Sequence, residues 1–420
     1  MVIPANSAHN NSEAPPFDVC VVGLGYVGLP TAAVLATLGN RVAGIDTRED
    51  VIARIGRGEV HIVEPELDAL VRAAVAQGTL QAIGPKPVPA DVFLLCVPTP
   101  LGAGNAPDLS YVKAATHAIV PALRPGNLVV LESTSPPTTT RLIVAEILAE
   151  HGFVAGETIF VAHAPERVLP GAVIREVVEN ARVVGGVTEA CTSRAVSFYE
   201  SFVRGDVHPA TADVAELVKL SENAFRDLNI GFANELANIC EHLGLDPWSV
   251  IKLANHHPRV QILRPGPGVG GHCIAVDPWF IVAAAPEHTP LIQAARQVND
   301  ARPLAVVEAV ARQAKRYRGA RVACLGLSYK PDIDDLRESP AVEVVEALHK
   351  RPEVAELMVV EPHLENSPFA DIRLWTLDSA LERADIVVIL VAHRIFRQRI
   401  APQRLLGHTV IDPVGLLQPG

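Results

Sequence analysis

The sequence predicts an α/β protein in which two parallel-sheet regions flank a helical middle. Short apolar strands alternate with helical patterns over residues 17–200, and the alternation returns from about residue 318. Between these regions, residues 213–243 carry apolar side chains at helical spacing. Alternation of strands and helices favours a doubly wound sheet, because each crossover helix covers one face of the sheet.

The first region contains predicted buried strands that all end in turn-forming or polar residues. They are FDVCVVGLGYVG, RVAGIDT, VFLLCVPTP, NLVVLESTSP and TIFVAHAPE. Ligands of doubly wound sheets bind beyond the carboxyl ends of the strands. We therefore expect the residues that follow each strand to contact a ligand. Residues 1–16, which precede the first strand, are polar and are predicted to form a disordered tail.

The middle of the chain predicts one long helix over residues 213–243. Asp213 with Glu216 resembles a capping pair at its start, and Gly244 is suited to end it. Asp246, followed by proline, predicts the start of another helix. The length predicts a helix that joins two domains or packs against a partner subunit.

A second, smaller parallel sheet is predicted near the carboxyl terminus. Its strands are RVACLGLSYK, ELMVVEPH, DIVVILVAH and HTVIDPVG. The stretch Arg316–Arg321 marks the boundary before it. We predict three domains, over residues 17–203, 204–316 and 317–420.

Composition restricts the partners of this chain. The formal net charge is −11 and aromatic residues make up 5%, which disfavours nucleic acid and anionic membranes as partners. No run of about 18 apolar residues occurs, so no transmembrane helix is predicted. The cysteines have no paired spacing, which favours reduced thiols in a cytosolic protein over a disulfide or metal framework. They are Cys20, Cys96, Cys191, Cys240, Cys273 and Cys324.

A glycine motif after the first strand predicts a Rossmann-type dinucleotide-binding domain. Gly23, Gly25 and Gly28 have the spacing that allows a tight turn, close approach of a pyrophosphate and close helix packing. Asp46 ends the next strand and is placed to bind an adenosine ribose, which favours NAD over NADP. Arg48 is an alternative partner for a 2′-phosphate.

Cys273 lies in the glycine-rich stretch GPGVGGHCIAVDP, with Asp277 four residues further on. A thiol on such a loop is a candidate nucleophile, and the alternative is a small apolar residue that fills space. The thiol chemistry fits an oxidation in which an aldehyde forms a thiohemiacetal and then a thioester. Water then releases an acid.

Further candidates accompany the thiol. Lys219, Asn223 and Arg226 share one face of the long helix by their spacing, and the alternative is a solvated polar stripe. A lysine there can orient an alcohol or transfer a proton. Glu166, in APERVLPG, is a candidate to activate water, or forms a simple surface pair with Arg167.

Cationic and hydroxyl side chains at predicted loops are further candidates for ligand contact. Arg259, Lys330 and Arg337 can clamp a pyrophosphate, and the alternative is an ordinary surface charge. Thr99 and Thr134, each after a strand, can contact the cofactor or serve as turn residues.

Seven segments together resemble the UDP-sugar 6-dehydrogenases of the UDP-glucose/GDP-mannose dehydrogenase family. They are GLGYVGLP, VPTP, ESTSPP, APERVLPG, KLSENAFRD, NHHPRVQILRPGPGVGGHCIAVDP and GLSYKPDIDDLRESP. The resemblance extends from about residue 17 to the carboxyl terminus. ERVLPG, ENAFRD and HPRVQILRPGPGVGGHCIAVDPWF are similar to the branch that oxidises UDP-N-acetyl-D-mannosamine.

The resemblance implies an NAD domain, a central dimerisation domain and a UDP-binding domain. It implies a four-electron oxidation of the sugar C6 alcohol to a carboxylate with two NAD molecules, in a homodimer. Cys273 would be the nucleophile and Lys219 the acid/base residue, assisted by Asn223, Asp277 and Glu166. The positions implied for NAD, beside the glycines, are Tyr26, Val27, Asp46, Arg48, Thr99, Thr134 and Arg337. Those implied for the nucleotide sugar, beside Lys219 and Asn223, are Arg167, Val168, Arg226, His257, Arg259, Gly270, Tyr329 and Lys330.

The chain departs from the UDP-glucose branch at two positions. A Phe and a second Glu of that branch are replaced here by Arg167 and Pro170. The replacement leaves the hydrolytic base open and favours a different sugar, whose acetamido group needs a donor such as Arg167.

The function predicted is a cytosolic, homodimeric dehydrogenase that makes UDP-N-acetyl-D-mannosaminuronate for a surface polysaccharide. Alternative substrates are UDP-N-acetylglucosamine and UDP-glucose. A two-electron alcohol or hydroxyacid dehydrogenase, in which Cys273 is incidental, is a second alternative. A third, of another class, is a non-catalytic NAD-sensing binding protein.

Overall fold

The computed structural model describes residues 15–62, 64–168 and 171–418. Residues 1–14 of the predicted tail, and Pro170, lie outside the described residues. The chain divides into two compact units, one ending at Ser221 and the other beginning at Glu222. The three predicted domain boundaries stay predictions.

The first unit is built on one twisted sheet with helices on both faces. Its strands are β1 Phe17–Val22, β2 Val42–Ile45, β3 Leu80–Gly84, β4 Ala90–Leu95, β5 Leu128–Leu131, β6 Phe160–His163, β7 Arg182–Gly186 and β8 Val207–Thr211. Its helices are α1 Gly28–Thr37, α2 Glu49–Gly56, α3 Leu67–Gln77, α4 Ser110–Ile119, α5 Ala145–Glu150, α6 Val173–Glu179 and α7 Glu189–Glu200.

The strand order of this sheet is β3-β2-β1-β4-β5-β6-β7-β8. The strands from β3 to β6 in that order pair in parallel, whereas β7 pairs antiparallel with β6. The order reverses direction between β1 and β4, which is the switch point where such sheets bind ligands.

The apolar side chains of β1 show why both faces of the sheet are covered. Val19 and Val21 pack in a core with α1 and α3, whereas Cys20 and Val22 pack in a second core with α4 and α5. Each strand of this interior therefore buries both of its faces, as the continuous apolar runs predict.

The predicted long helix is observed as α8, Ala212–Leu243. The predicted capping pair is wrong, because the helix begins one residue earlier. The Thr211 hydroxyl accepts the Val214 N–H at 3.4 Å, and Asp213 instead pairs with Arg141 at 2.9 Å. Glu216 accepts hydrogen bonds from a neighbouring loop, as described below.

The second unit combines helices with a smaller parallel sheet. After α8 come α9 Pro247–Ala254, α10 Asp277–Ala284, α11 Pro290–Ala314, α12 Pro340–His349, α13 Leu377–Arg383 and α14 Arg394–Arg399. The strands are β9 Ala320–Leu325, β10 Val354–Val360, β11 Ile386–Ile389 and β12 Thr409–Ile411, in the order β10-β9-β11-β12.

The predicted fold class is confirmed by this architecture. Asp246 caps α9 as expected, since its carboxylate accepts the Ser249 N–H at 2.9 Å. The boundary predicted near residue 316 falls between α11 and β9. Across the described residues, no helix is both long and apolar enough to cross a membrane.

Glu216 ties the start of α8 to the loop after β5. Its buried carboxylate accepts the N–H groups of Thr138 and Thr140 at 2.6 and 2.7 Å and the Thr140 hydroxyl at 2.7 Å. Thr138 has a φ of 76°, a conformation that a β-branched residue rarely adopts, so the carboxylate holds a strained turn. Burial raises the pKa of Glu216 to about 7.

We expect this carboxyl group to make stability depend on pH. Its pKa is raised from 4.5 in the unfolded reference to about 7, so the folded chain binds more protons in this window. The contribution of Glu216 therefore falls as pH rises through the window, by about 3 kcal/mol in total. Glu216→Gln should flatten the pH dependence of the melting temperature measured by circular dichroism.

The matched control is Glu235→Gln, a change at an exposed position of the same helix. It should leave the pH profile of the wild type in place. Equal profiles for the wild type and Glu216→Gln would contradict the assignment.

Candidate active site

The turn after β1 has the geometry of a dinucleotide-binding turn. Gly23 has a φ of 95°, and a Cβ there would lie 2.5 Å from the Cys96 carbonyl oxygen. A Cβ at Gly28 would lie 1.9 Å from the Gly23 carbonyl oxygen. A Cβ at Gly25, in contrast, would meet no atom within 4 Å. The outer glycines are needed for packing, and the middle one leaves space for a phosphate at the start of α1.

Asp46 fixes this turn from the end of β2. One carboxylate oxygen accepts the Leu24 N–H at 3.0 Å, and the other accepts the Arg48 N–H at 2.9 Å. The Arg48 guanidinium pairs with Asp50 at 2.6 Å. A 2′-phosphate at this place would face Asp46 and compete with Asp50, whereas a ribose diol can donate to Asp46. The residues therefore fit NAD.

Other predicted cofactor residues lie along the same edge of the first sheet. The Thr99 hydroxyl donates to the Thr134 carbonyl oxygen at 2.7 Å, which joins the segments after β4 and β5. Tyr26 is 39% exposed beside the glycine turn, and Val27 immediately precedes α1. The sheet order brings these segments together, as expected from their positions after the strands.

Gly25 provides a test of the turn that separates binding from folding. Gly25→Ala should leave the melting temperature close to that of the wild type, because the added Cβ meets open space. The same Cβ should obstruct a pyrophosphate, so NAD affinity should fall by about tenfold or more, measured by calorimetry.

Gly28→Ala is the matched comparison, because its Cβ would overlap the backbone. That variant should lose stability. Unchanged NAD affinity in Gly25→Ala would contradict the placement of the pyrophosphate.

Glu166 belongs to a buried ionic cluster that the sequence did not predict. Its carboxylate forms an ion pair with Arg182, and both side chains are at most 5% exposed. Glu132 accepts the Tyr199 hydroxyl at 2.6 Å and the Cys96 thiol at 3.3 Å. Glu166 is therefore not a simple surface pair with Arg167. An arginine within the apolar strand RVVGG was the available signal, since a buried guanidinium requires a buried carboxylate.

Arg167 and Val168 follow Glu166 on the loop after β6. The Arg167 guanidinium donates to the Ala181 carbonyl oxygen, and the Asn180 side chain donates to the Arg167 carbonyl oxygen at 3.2 Å. Val168 packs against the first core. These contacts hold the loop near β7.

The candidate residues on α8 differ in exposure. Lys219 is half-buried, Asn223 is buried and Arg226 is exposed. The continuous helix retains the spacing that places them on one face. The Asn223 amide donates to the Asp277 carboxylate at 2.6 Å, and both side chains are at most 7% exposed. Two predicted site residues are thus hydrogen-bonded to each other.

Cys273 lies on a tight turn that leads into α10. Its carbonyl oxygen accepts the N–H groups of Val276 and Asp277 at 3.0 and 2.8 Å, and the residue is half-buried. Burial raises the pKa of Cys20 and of Cys324 to about 12. Burial, followed by the Glu132 carboxylate, raises the pKa of Cys96 well above its ordinary value. These three thiols are poor nucleophiles at neutral pH.

We call residues 266–276 the cysteine loop. Its start is held from both sides, because the Gly266 N–H donates to Asn234 at 2.8 Å and its carbonyl oxygen accepts Arg302 at 3.0 Å. Asn234 also donates to Asn299 at 2.9 Å, and Asn299 donates to the Asp227 carboxylate at 2.8 Å. Sequence reasoning missed this network. Its signal was polar residues at buried positions of two long helices.

The remaining predicted residues of the second unit lie on loops. His257 and Arg259 are exposed after α9, and the Arg259 N–H donates to His257 Nδ1 at 3.3 Å. Lys330 is exposed. Gly270 adjoins the loop after β9, which carries Tyr329 and Arg337, and Arg337 pairs with Asp335 at 2.6 Å.

A dinucleotide turn together with a thiol loop defines a nucleotide-dependent dehydrogenase. Residues 17–203 match the NAD binding domain of the UDP-glucose/GDP-mannose dehydrogenase family, residues 213–301 its central domain and residues 323–419 its UDP binding domain. The chain belongs to this family. The predicted class of enzyme, an NAD-dependent UDP-sugar dehydrogenase, and the predicted cofactor are confirmed.

Individual relatives have different sugars in their names. The chain is 52% identical over 407 residues to an NDP-N-acetyl-D-galactosaminuronic acid dehydrogenase of Ralstonia nicotianae, covering 95% of this chain and 96% of the relative. It is 48% identical over 391 residues to a UDP-N-acetyl-D-mannosamine dehydrogenase of Campylobacter jejuni, covering 90% and 96%. The solved UDP-D-ManNAc dehydrogenase of Pyrococcus horikoshii superposes with a TM-score of 0.87 at 37% identity, covering 96% of each chain.

Proposed function

We propose that this protein oxidises the C6 alcohol of UDP-N-acetyl-D-mannosamine to the carboxylate, with Cys273 as the covalent nucleophile. The observation that carries the proposal is the turn of the cysteine loop. The Cys273 carbonyl oxygen accepts the Asp277 N–H, and the Asp277 carboxylate accepts a hydrogen bond from the Asn223 amide. Cys273 is half-buried, and these bonds join its backbone to the buried carboxylate and amide.

The proposed reaction consists of two successive oxidations. When bound, NAD would supply the hydride acceptor for both oxidations, one molecule for each. In the first, Lys219 takes the alcohol proton, leaving an aldehyde. The Cys273 thiolate then adds to the aldehyde carbon to form a thiohemiacetal, and loss of the second hydride gives a thioester. Water cleaves the C–S bond, which releases the carboxylate and the thiol.

The remaining residues support these steps. We assign Asn223 and Asp277 to orienting the reacting oxygen, because their mutual hydrogen bond fixes both side chains in a buried place. Glu166 stays the candidate for activating water. Its buried carboxylate is held in place by the ion pair with Arg182, which fixes the orientation of this candidate base.

The proposed ligand contacts follow the predicted assignment. For NAD they are the turn glycines with Tyr26, Val27, Asp46, Arg48, Thr99, Thr134 and Arg337. For the UDP-sugar they are Arg167, Val168, Lys219, Asn223, Arg226, His257, Arg259, Gly270, Tyr329 and Lys330.

A second candidate substrate is supported by the relatives. Two proteins at 52% and 50% identity are named for N-acetyl-D-galactosaminuronic acid, whereas two named for N-acetyl-D-mannosamine are 48% and 46% identical. Both sugars carry a 2-acetamido group, which agrees with an Arg167 that replaces the Phe of the UDP-glucose branch. We retain UDP-N-acetyl-D-mannosamine as the proposed substrate and test the galacto compound beside it.

The decisive experiment measures initial rates on purified UDP-N-acetyl derivatives of mannosamine, galactosamine and glucosamine and on UDP-glucose. The mannosamine compound should give the highest kcat/KM, and two NADH should form per sugar. Preference for another sugar would overturn the substrate assignment. One NADH per sugar would favour a two-electron dehydrogenase, and NAD binding without turnover would favour a non-catalytic sensor.

Cys273→Ser should block the second oxidation and leave binding of the UDP-sugar largely intact. We expect the overall rate to fall by about a hundredfold or more, because an alkoxide cannot replace the thiolate at neutral pH. Cys240→Ser, at a buried position of α8, is the matched control and should remain active. Unchanged turnover in Cys273→Ser would contradict the covalent mechanism.

The proposal includes a homodimer in the cytosol whose product enters a surface polysaccharide. An apolar stripe on α8 supports the dimer, since Phe225, Phe232, Ile239 and Leu243 are 69%, 55%, 46% and 62% exposed. Their spacing of seven, seven and four residues keeps them on one face of the helix. A second copy of this chain is the occupant we propose for the stripe.

Phe232→Glu should weaken the dimer, because it would place a charge in the centre of the apolar stripe. Sedimentation velocity should show a shift from dimer to monomer. Glu235→Ala, three residues further along the same exposed face, removes a charge without adding one to the stripe and should remain dimeric. A monomeric wild type, or a dimeric Phe232→Glu variant, would contradict this surface.

A further inference from the structure

Two buried side chains fasten the loop after β9 to the second sheet. We call residues 327–339 the support loop. Glu361, directly after β10, accepts the Leu327 N–H at 2.7 Å and the Ser328 N–H at 3.3 Å. His393 Nε2 lies 3.1 Å from the same carboxylate oxygen, and both side chains are fully buried.

The hydrogen bonds of His393 define which ring nitrogen accepts and which donates. The Asp332 N–H lies 2.9 Å from Nδ1. A backbone N–H can only donate, so Nδ1 accepts and the ring proton lies on Nε2, facing Glu361. Burial opposes ionisation of Glu361, but the hydrogen bonds from His393 and the Leu327 N–H outweigh it and lower its pKa. The imidazole therefore bridges the Glu361 carboxylate and the support loop.

The support loop in turn carries the backbone of the cysteine loop. The Gly271 N–H donates to the Arg337 carbonyl oxygen at 3.1 Å. A Cβ at Gly270 would lie 2.4 Å from the Glu338 carbonyl oxygen, and one at Gly271 would lie 2.7 Å from the Tyr329 ring. The two loops touch backbone to backbone, two and three residues before Cys273. A shift of the support loop must therefore move the thiol.

A metal site is the alternative interpretation of the polar side chains around His393. Atoms of Asp332, His363 and His393 come within 4.8 Å of one another. The Nδ1 lone pair of His393 is already used by the Asp332 N–H, and the Asp332 carboxylate pairs with Arg394 at 2.8 Å. A cation would have to displace both contacts, so the geometry favours anchoring of the loop.

We infer that Glu361 and His393 are positioning residues that hold Cys273 for attack on the substrate carbon through the support loop. The inference rests on the proposed role of Cys273. It assigns function to side chains that the family resemblance does not single out here.

Two substitutions separate the two hydrogen bonds of His393. His393→Asn keeps an acceptor near the position of Nδ1 and loses the donor to Glu361. His393→Gln keeps a donor near the position of Nε2 and loses the acceptor for the Asp332 N–H. We expect the glutamine variant to lower kcat by about tenfold or more with the KM for NAD unchanged, and the asparagine variant to retain most of kcat.

Amide hydrogen exchange supplies a readout that needs no substrate. In His393→Gln the Gly271 amide should exchange about tenfold faster, while the Gly266 amide, held by Asn234, should keep its wild-type rate. His349→Asn is the matched control, because its exposed imidazole pairs with Asp371, which lies outside the support loop. It should match the wild type in both measurements.

Wild-type kcat and wild-type Gly271 exchange in folded His393→Gln would overturn the inference, as would equal losses in the two variants. Should His393→Gln fail to fold, Glu361→Gln tests the other anchor. It weakens the acceptor of the Leu327 and Ser328 N–H groups with the imidazole in place, and should likewise speed Gly271 exchange. A wild type without turnover on any UDP-sugar would overturn the proposed function alone, because Gly271 exchange reports the anchor independently.

Discussion

A carboxylate at the end of one strand holds the turn that follows its neighbour, and the ligand-binding architecture depends on this contact. Asp46 accepts the Leu24 N–H after β1, and Glu361 accepts the Leu327 N–H after β9. Gly23 begins the first of these turns and Gly326 the second, and each has a φ of 95°. A parallel sheet brings these strand ends to one edge, so two residues distant in sequence fix one backbone conformation.

The two turns use this contact for different purposes. Asp46 remains partly exposed, which leaves its carboxylate available to a ribose. Glu361 is fully buried and its carboxylate is saturated by backbone N–H groups and His393. The first turn is therefore open to a ligand, whereas the second is packed against a neighbouring loop. The two turns share one backbone architecture, and they differ in whether the carboxylate that holds them is exposed or covered.

The fold was largely predictable because its signals are local. Continuous apolar runs located β1, β2, β4, β5 and β6, and the periodicity of α8 was visible over its full length. Strand β8, VHPAT, is polar and contains proline, so it lacked the apolar run that identified the others. The start of α8 was misplaced since Thr211, which caps it, precedes two acidic residues that resemble a cap.

The candidate site could be predicted where sequence motifs mark its residues. It could not be predicted where the role of a residue depends on its burial in the folded chain. Spacing selected Cys273, Asp277 and Asn223 as candidates, and the last two prove to be hydrogen-bonded to each other. Arg182, Asn234 and His393 were missed because each acts through a partner far away in sequence. Only the three-dimensional structure shows which polar side chains lose water and must find such a partner.

The distribution of thiols has a consequence for chemical modification. Four of the cysteines, Cys20, Cys191, Cys240 and Cys324, are buried, and the raised pKa of Cys96 keeps that thiol protonated. An alkylating or oxidising reagent would therefore find its preferred target at Cys273. On the proposed role of Cys273, a single covalent adduct there would stop turnover without unfolding the chain, so the loop is a suitable attachment point for selective inhibitors.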